Sequence, residues 1–290
     1  MKLYLLPFDH RHSFEELINA KDHPSKDEVD KIKDYKQMIF LAFKKALQQG
    51  VSKRDAGILV DEQYGREILL AARKNQLITC YTLEKSGQQE FHFDKSDWKK
   101  KLKFFRPTYA KVLIRYNPVN KALNKRQAKK LKQLGDYLRK VKIKFLLEVL
   151  VPATEKQRIS AYETKLRPIL TKMSIKELQK AGVKPDIWKL EGVDKLKDLL
   201  SISRQVKEDS EARIVILGRG ESRAKAEHWL KIGAKVPVVV GFAVGRTVFQ
   251  QPLMDYQNKK TTKQQTIKAI MNNYLHFVKL FEKVKNESKN

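Results

Sequence analysis

Short apolar runs alternate with amphipathic stretches along most of this chain. Eight runs are rich in Val, Ile and Leu, and they cover residues 2–9, 56–61, 77–83, 110–116, 144–151, 186–191, 213–217 and 236–243. Nearly continuous apolar runs of this kind are typical of parallel strands that are covered on both faces. The stretches between them repeat apolar residues at helical spacing. The pattern therefore predicts a parallel sheet with helical crossovers.

Helices are predicted at residues 33–49, 64–75, 96–105, 121–141, 195–208, 222–232 and 261–284. The segment 153–181 is long enough for two helices, with Pro168 as a break or a helix start. Eight strands with eight helical crossovers predict a single (β/α)8 TIM barrel, whose closed sheet has no edges. An open doubly wound sheet is the alternative, but no G-x-G-x-x-G motif follows the first strand.

No linker rich in Pro, Gly or Ser interrupts the chain, so residues 1–285 are predicted to form one domain and 286–290 a charged tail. The charged segments 20–34 and 283–290 are predicted to be mobile. No apolar run approaches the ~20 residues of a membrane span, and the N-terminus is too short for a signal peptide. The single cysteine, Cys80, excludes an intrachain disulfide, and we expect a cytoplasmic protein.

Lysine and arginine number 61 against 33 acidic residues, which gives a formal charge of +28 over 290 residues. Such a charge favours anionic partners in general. The lysines, however, lie mainly on predicted helices at 121–142 and 222–235 and in the segment 279–290, and no nucleic-acid-binding motif accompanies them. We therefore interpret them as solvated helical faces, expect no nucleic-acid partner, and retain anionic small substrates as a possibility.

Lys189 and Glu191 lie on the sixth apolar run, directly before Gly192. Burial disfavours an ammonium group, so a lysine enclosed there is favoured as a neutral amine that attacks a ketone. The alternative is a lysine at a strand end that extends to water. Glu148 lies within the fifth run and needs a partner, for which Lys189 on the neighbouring strand is the candidate. A purely structural ion pair inside the barrel is the other interpretation of Glu148.

Other polar residues also collect at the strand ends, where TIM barrels have their active sites. These are Asp9, Arg11, Lys85, Lys111 and Arg115. Lys111 and Arg115 share one face of their strand because side chains alternate.

Glycine and arginine follow the last two strands, as Gly218-Arg219-Gly220 and Gly245-Arg246. Barrels often bind phosphate at this position through backbone N–H groups and a helix N-terminus, and arginine adds a bidentate contact.

Metal chemistry is less well supported, because the six histidines are scattered and no H-E-x-x-H motif occurs. A divalent ion held by Asp61, Glu62 or Glu84 is the metal-dependent alternative. We expect neither a metal nor a cofactor.

The motifs at the strand ends together carry a family resemblance. They are LPFDHR (6–11), GILVDEQYG (57–65), EKSGQ (84–88), KVLIRYNP (111–118), LEVLVPA (147–153), WKLEG (188–192), LGRG (217–220) and GFAVGRT (241–247). From near the first residue to about Phe281, the chain resembles the aldolase-like domain fused behind bacterial 5-dehydro-2-deoxygluconokinase in inositol catabolism, a family associated with 2-deoxy-5-keto-gluconate 6-phosphate aldolase activity. More distantly, it is similar to tagatose-bisphosphate aldolase, a class I, Schiff-base barrel.

The resemblance implies that Lys189 forms the imine and that Glu148 is the acid/base, with Asp9 on the first strand and Gly245-Arg246 at the last. The implied products are dihydroxyacetone phosphate and malonate semialdehyde. Lys111 and Lys85 are expected to keep Lys189 deprotonated, and Arg11 or Arg115 to hold the substrate carboxylate. His12 departs from the family, which usually has glycine after Arg11, so the substrate is left open.

Two other function classes are left open. One is a metal-assisted sugar-phosphate lyase. The other is a non-catalytic basic barrel that binds nucleic acid or anionic metabolites. The expected partner is a phosphorylated small molecule, and a homo-oligomer is left open.

Overall fold

The computed structural model describes residues 1–20, 24–208 and 211–288. Its centre is a closed barrel of parallel strands paired in chain order, in which β1 also pairs with β8. The strands are β1 (Leu3–Pro7), β2 (Ala56–Val60), β3 (Ile78–Thr82), β4 (Tyr109–Arg115), β5 (Lys144–Leu150), β6 (Ile187–Glu191), β7 (Arg213–Leu217) and β8 (Val239–Ala243). The single (β/α)8 barrel predicted from the sequence is confirmed.

The helices surround this barrel. They are α1 (His12–Leu17), α2 (Lys26–Gln48), α3 (Glu62–Lys74), α4 (Trp98–Phe105), α5 (Lys121–Lys140), α6 (Arg167–Lys180), α7 (Leu196–Lys207), α8 (Arg223–Ala234), α9 (Arg246–Gln257) and α10 (Lys263–Glu287). A 3-10 turn (Glu155–Gln157) and a π-helical turn (Tyr162–Leu166) precede α6, whose second residue is Pro168. Pro168 thus marks a helix start, one of its two predicted roles. No helix in the described ranges is long and apolar enough to cross a membrane.

Four helices differ from the prediction. The helices α1 and α9 were not predicted, and α2 begins at Lys26, inside the segment predicted to be mobile. A capping box starts α2, since Ser25 accepts from the Glu28 amide and Glu28 accepts from the Ser25 amide. Residues 21–23 of that segment lie outside the described residues. Helix α10 runs through to Glu287, into the second segment predicted to be mobile.

The barrel interior is packed with apolar side chains below its C-terminal mouth, among them Leu5, Leu59, Tyr109, Leu146 and Ile187. Side chains alternate along a strand, so residues two positions beyond these also point inward, nearer the mouth. Strand pairing then determines which residues are neighbours on adjacent strands. Glu148 on β5, for example, pairs in register with Lys189 on β6. The same alternation that fills the core therefore brings charged groups together above it.

Candidate functional site

A cavity of about 330 Å³ opens at the C-terminal mouth of the barrel. Its wall comes from the ends of seven strands and the loops that follow them. Charged and polar residues in this wall include Asp9, His10, Arg11, Thr82, Glu84, Lys85, Lys111, Arg115, Glu148, Lys189, Arg219 and Arg246. Most of the residues singled out in the sequence therefore line one cavity.

Lys189 and Glu148 form a buried ion pair at the base of this cavity. The Lys189 Nζ lies 2.7 Å from Glu148 Oε2, and both side chains are less than a tenth exposed. Burial alone would raise the pKa of Glu148, but Lys111 and Lys189 outweigh it and hold the pKa below its usual value. Glu148 is thus a carboxylate beside the lysine amine, within reach for proton transfer.

Lys111 lies at the centre of three carboxyl groups. Its Nζ is 2.9 Å from Asp9 Oδ2, 2.5 Å from Glu84 Oε1 and 3.1 Å from Glu148 Oε2. Burial opposes the charged lysine, yet these carboxylates raise the pKa of Lys111 well above its usual value. Burial also opposes ionisation of Asp9, but Lys111, His10 and Lys189 keep the pKa of Asp9 below its usual value. Lys111 is therefore a permanent cation that links the carboxyl groups.

Glu84 belongs to this cluster, although the sequence pointed to it only as a metal ligand. Burial raises the pKa of Glu84, and Lys111 only partly offsets this effect. Its second oxygen, Oε2, is enclosed and has no hydrogen-bond partner among the described residues. A signal for its position was present in the sequence, because Cys80 and Thr82 share one face of β3 and Glu84 continues this spacing two residues beyond the end of the strand.

A third buried lysine, Lys36 on α2, fixes the turn that carries Asp9. Its Nζ donates to the backbone carbonyls of Phe8 and His10, each at 2.9 Å, and to the carboxylate of Asp61. The Lys36 side chain is completely enclosed. The two carbonyls flank Asp9 in the chain, so Lys36 restrains the backbone from which Asp9 reaches Lys111.

The loops after β7 and β8 form one end of the cavity and carry Arg219 and Arg246. Gly245 directly precedes α9, and the Arg246 guanidinium donates to the Arg219 carbonyl at 2.7 Å. Gly220 adopts φ +78°, and a side chain there would collide with the Arg246 guanidinium. The first turn of α9 and Arg246 therefore present positive potential to the cavity. Gly218 does not line the cavity, and its amide donates to the Ala243 carbonyl.

Arg219 and Glu191 form an ion pair that connects the loops around the cavity. Arg219 Nε lies 3.2 Å from Glu191 and its Nη1 lies 2.7 Å from Glu163. Glu191 also accepts a hydrogen bond from the Val151 amide at 2.9 Å. Burial raises the pKa of Glu191, although Arg167 and Arg219 oppose this. Glu191 is absent from the cavity wall, and its contact with Val151 joins the ends of β6 and β5.

The remaining predicted residues lie around the β3–β4 side of the mouth. Arg11 is buried and donates to the Glu84 carbonyl at 2.7 Å, with Asp94 3.0 Å away. Arg115 donates to the Gln88 carbonyl at 2.8 Å. Lys85 is exposed on the rim and takes no part in the buried carboxylate cluster, so only Lys111 has the predicted proximity to Lys189. His12 begins α1 and is 76% exposed at the mouth.

The three acids of the metal-dependent alternative do not converge. Asp61 caps α3 and pairs with Lys36, Glu62 pairs with Arg66 and Lys101, and Glu84 pairs with Lys111. Within residues 1–20, 24–208 and 211–288, no group of three His, Cys, Asp or Glu side chains is arranged to hold a metal ion. Asp61, Glu62 and Glu84 therefore do not come together as a metal-binding group in the described part of the chain.

Comparison with known proteins places the chain in a family. Residues 1–285 match the family described as "Uncharacterized protein conserved in bacteria (DUF2090)". The chain belongs to this family. No curated protein matches it.

Solved structures show where the fold recurs. A fructose-bisphosphate aldolase from Plasmodium falciparum is 13% identical with a TM-score of 0.69, over 96% of this chain and 89% of that chain. A Schiff-base-forming fructose-1,6-bisphosphate aldolase is also 13% identical, with a TM-score of 0.60 over 96% and 94% of the two chains. A Corynebacterium glutamicum protein is 14% identical, with a TM-score of 0.61 over 96% and 85%. At such identities, these matches show that the DUF2090 chain shares the aldolase-like barrel fold.

Proposed function

We propose that this DUF2090 protein is a class I aldolase that forms a Schiff base at Lys189. The observation that carries the proposal is the buried contact between Lys189 Nζ and Glu148 Oε2, 2.7 Å apart in the cavity wall. A lysine nucleophile requires a neutral amine, and an adjacent carboxylate can accept its proton. The fold similarity to Schiff-base aldolases is consistent with this chemistry.

The proposed substrate is 2-deoxy-5-keto-gluconate 6-phosphate. Lys189 attacks the C5 ketone, and loss of water leaves an iminium that draws electrons from the C3–C4 bond. Glu148 takes the proton of the C3 hydroxyl as that bond breaks, which releases malonate semialdehyde and leaves an enamine. Protonation at C4 and hydrolysis then release dihydroxyacetone phosphate and regenerate Lys189. General acid–base assistance of this kind contributes ~10²–10⁴-fold.

Asp9 and Lys111 complete the proposed catalytic group. Lys111 holds Asp9 and Glu148 as carboxylates, because its Nζ lies within 3.1 Å of both. Their negative charge would stabilise the iminium, which appears only after Lys189 has reacted. This selective stabilisation of a charged intermediate is the physical role we assign to the cluster.

The two ends of the cavity suit the two anionic ends of that substrate. Gly245, Arg246 and the first turn of α9 would bind the phosphate, together with Gly220 and Arg219. On the opposite side, Arg115 at the rim would contact the carboxylate, since Arg11 is already paired with Asp94. Gly218 and Glu191 are not assigned substrate contacts, because neither lines the cavity.

Borohydride trapping tests the proposal. The protein is incubated with dihydroxyacetone phosphate and reduced, and the modified lysine is located by mass spectrometry after digestion. We expect an adduct on Lys189, its loss in Lys189→Ala, and its retention in the matched control Lys85→Ala, since Lys85 is exposed at the rim. An adduct on Lys111 or Lys85 would keep the class and move the nucleophile. A folded wild-type protein with no adduct would refute a class I mechanism.

A further inference from the structure

His10 lies in the cavity wall directly after Asp9 and has no role in the proposed chemistry. Its side chain is partly exposed and lines the cavity. The ring packs edge-on against Phe249 in the first turn of α9, with the two ring centroids 6.3 Å apart. Lys36 fixes the His10 backbone through its carbonyl at 2.9 Å. The imidazole is thus held beside the helix that forms the phosphate end of the cavity.

The surroundings of His10 keep its imidazole neutral. Burial is the main cause that lowers the pKa of His10 to about 4; Asp9 opposes this shift, and Arg246, Lys189 and Lys111 reinforce it. The Nδ1 atom is enclosed and has no hydrogen-bond partner among the described residues. A buried N–H group without an acceptor is unfavourable, so the tautomer with an unprotonated Nδ1 and a protonated Nε2 is preferred. The Nε2–H group is then the donor on the exposed edge of the ring.

We propose that His10 is a phosphate-binding residue whose Nε2–H donates to a phosphoryl oxygen held by Arg246 and the N-terminus of α9. This inference rests on the phosphate end of the proposed function, and it assigns the neutral imidazole a specific ligand. Phosphate accepts several hydrogen bonds at once, so a neutral donor can add to the hydrogen bonds that one guanidinium and the helix amides donate. His10 adds this contact without adding a further charge beside Lys189.

Linkage tests whether phosphate binds beside His10. A bound phosphate dianion near His10 stabilises the imidazolium, so phosphate must raise the pKa of His10. Histidine resonances followed by NMR with and without saturating inorganic phosphate measure this shift. His10 is assigned by its loss in the His10→Gln spectrum. An upward shift from about 4 supports the proposal, and a pKa that phosphate leaves unchanged overturns it.

Three variants test which of the two ring nitrogens of His10 contacts the phosphate. The amide nitrogen of Gln reaches about as far as Nε2, that of Asn about as far as Nδ1, and Phe retains a ring without a donor. Calorimetry with inorganic phosphate and with dihydroxyacetone phosphate gives the affinities. We expect His10→Gln to stay within about 3-fold of the wild type, and His10→Asn and His10→Phe to lose about 10-fold. Asn binding as tightly as Gln, or Phe as tightly as the wild type, overturns the proposal.

Trapping of Lys189 is measured on the same samples, which keeps the two proposals separable. If His10→Phe weakens phosphate binding but the wild type forms no imine, the phosphate site stands and the aldolase fails. If the wild type forms the imine while His10→Phe binds phosphate normally, the aldolase stands and the role of His10 fails.

Discussion

Replacing Lys111 by methionine tests the charge network directly. The Lys111 Nζ lies 2.5–3.1 Å from three carboxyl oxygens, on Asp9, Glu84 and Glu148. At 3 Å and an effective dielectric constant of 20, each full ionic contact is worth about 5–6 kcal/mol before desolvation is subtracted. Desolvation offsets most of this, but removal of one partner leaves buried charge uncompensated. We therefore expect Lys111→Met to lower the free energy of unfolding by about 3–5 kcal/mol near pH 8.

The sign of the pH dependence makes this prediction specific. In the wild type, the pKa values of Asp9 and Glu148 are lowered, so these groups stabilise the fold above their unfolded pKa values and lose that effect as the pH falls through the folded values. Without Lys111, burial is expected to raise the pKa values of these carboxyls instead. As the pH falls, protonation then removes the uncompensated negative charge in the variant. The difference in free energy of unfolding between the wild type and the variant should therefore shrink between pH 8 and pH 5.

Urea unfolding at the two pH values measures the effect. The matched control is Lys121→Met, because Lys121 is 72% exposed and pairs with Glu177 at the surface. We expect the control to change the free energy of unfolding by less than about 1 kcal/mol at either pH. A Lys111→Met deficit below about 1 kcal/mol at pH 8, or an equal deficit at both pH values, would refute the reasoning.

Two further predictions concern the backbone and the buried lysine behind the site. Alanine at Gly241 would place Cβ 1.9 Å from the Leu3 carbonyl oxygen, so Gly241→Ala should separate β8 from β1 and lower the melting temperature sharply. The control Gly135→Ala, which has ordinary van der Waals space on α5, should raise the free energy of unfolding slightly, by about 0.5–1 kcal/mol. Lys36→Met should lower the free energy of unfolding, measured with urea, by about 3–5 kcal/mol. The double variant Lys36→Met with Asp61→Asn should recover part of this loss, because the two side chains are paired. A double variant whose loss equals the sum of the two single losses would contradict the pairing.

The sequence predicted the strands better than the helices for a physical reason. Strands buried on both faces are apolar throughout, so their signal does not depend on an exact period. Helix α9 was missed because it begins at Arg246, within the Gly245-Arg246 motif, and contains Pro252, which interrupts the pattern of a regular helix. The first turn of α2 was missed because Lys26–Asp30 is charged and solvated, and it is specified by a capping box rather than by apolar spacing.

The candidate site was predictable only where residue type and strand position coincided. The Lys189–Glu148 contact follows from two charged residues in neighbouring apolar strands. Lys36 was missed although it falls on the apolar face of its helix, between Ile32 and Ile39, because a single charge in an amphipathic helix of this length is easily assigned to solvent. Its partners also come from backbone carbonyls and from Asp61, which no local pattern brings together. Such contacts depend on the closed barrel and not on neighbouring residues.

The distribution of charge in the cavity bears on which ligands it can hold. Three carboxyl groups face two lysines at its base, and Glu84 has the raised pKa, so Glu84 is the carboxyl that most readily retains a proton and balances the cluster. Arg246 and Arg115 lie at the rim instead. The base is therefore close to electrically balanced while the rim is positive, so an anionic group is attracted to the rim and a neutral carbonyl can approach Lys189. A ketone with anionic groups at both ends is bound most favourably with these groups at the rim and its carbonyl beside Lys189. Imine formation requires the carbonyl in this position.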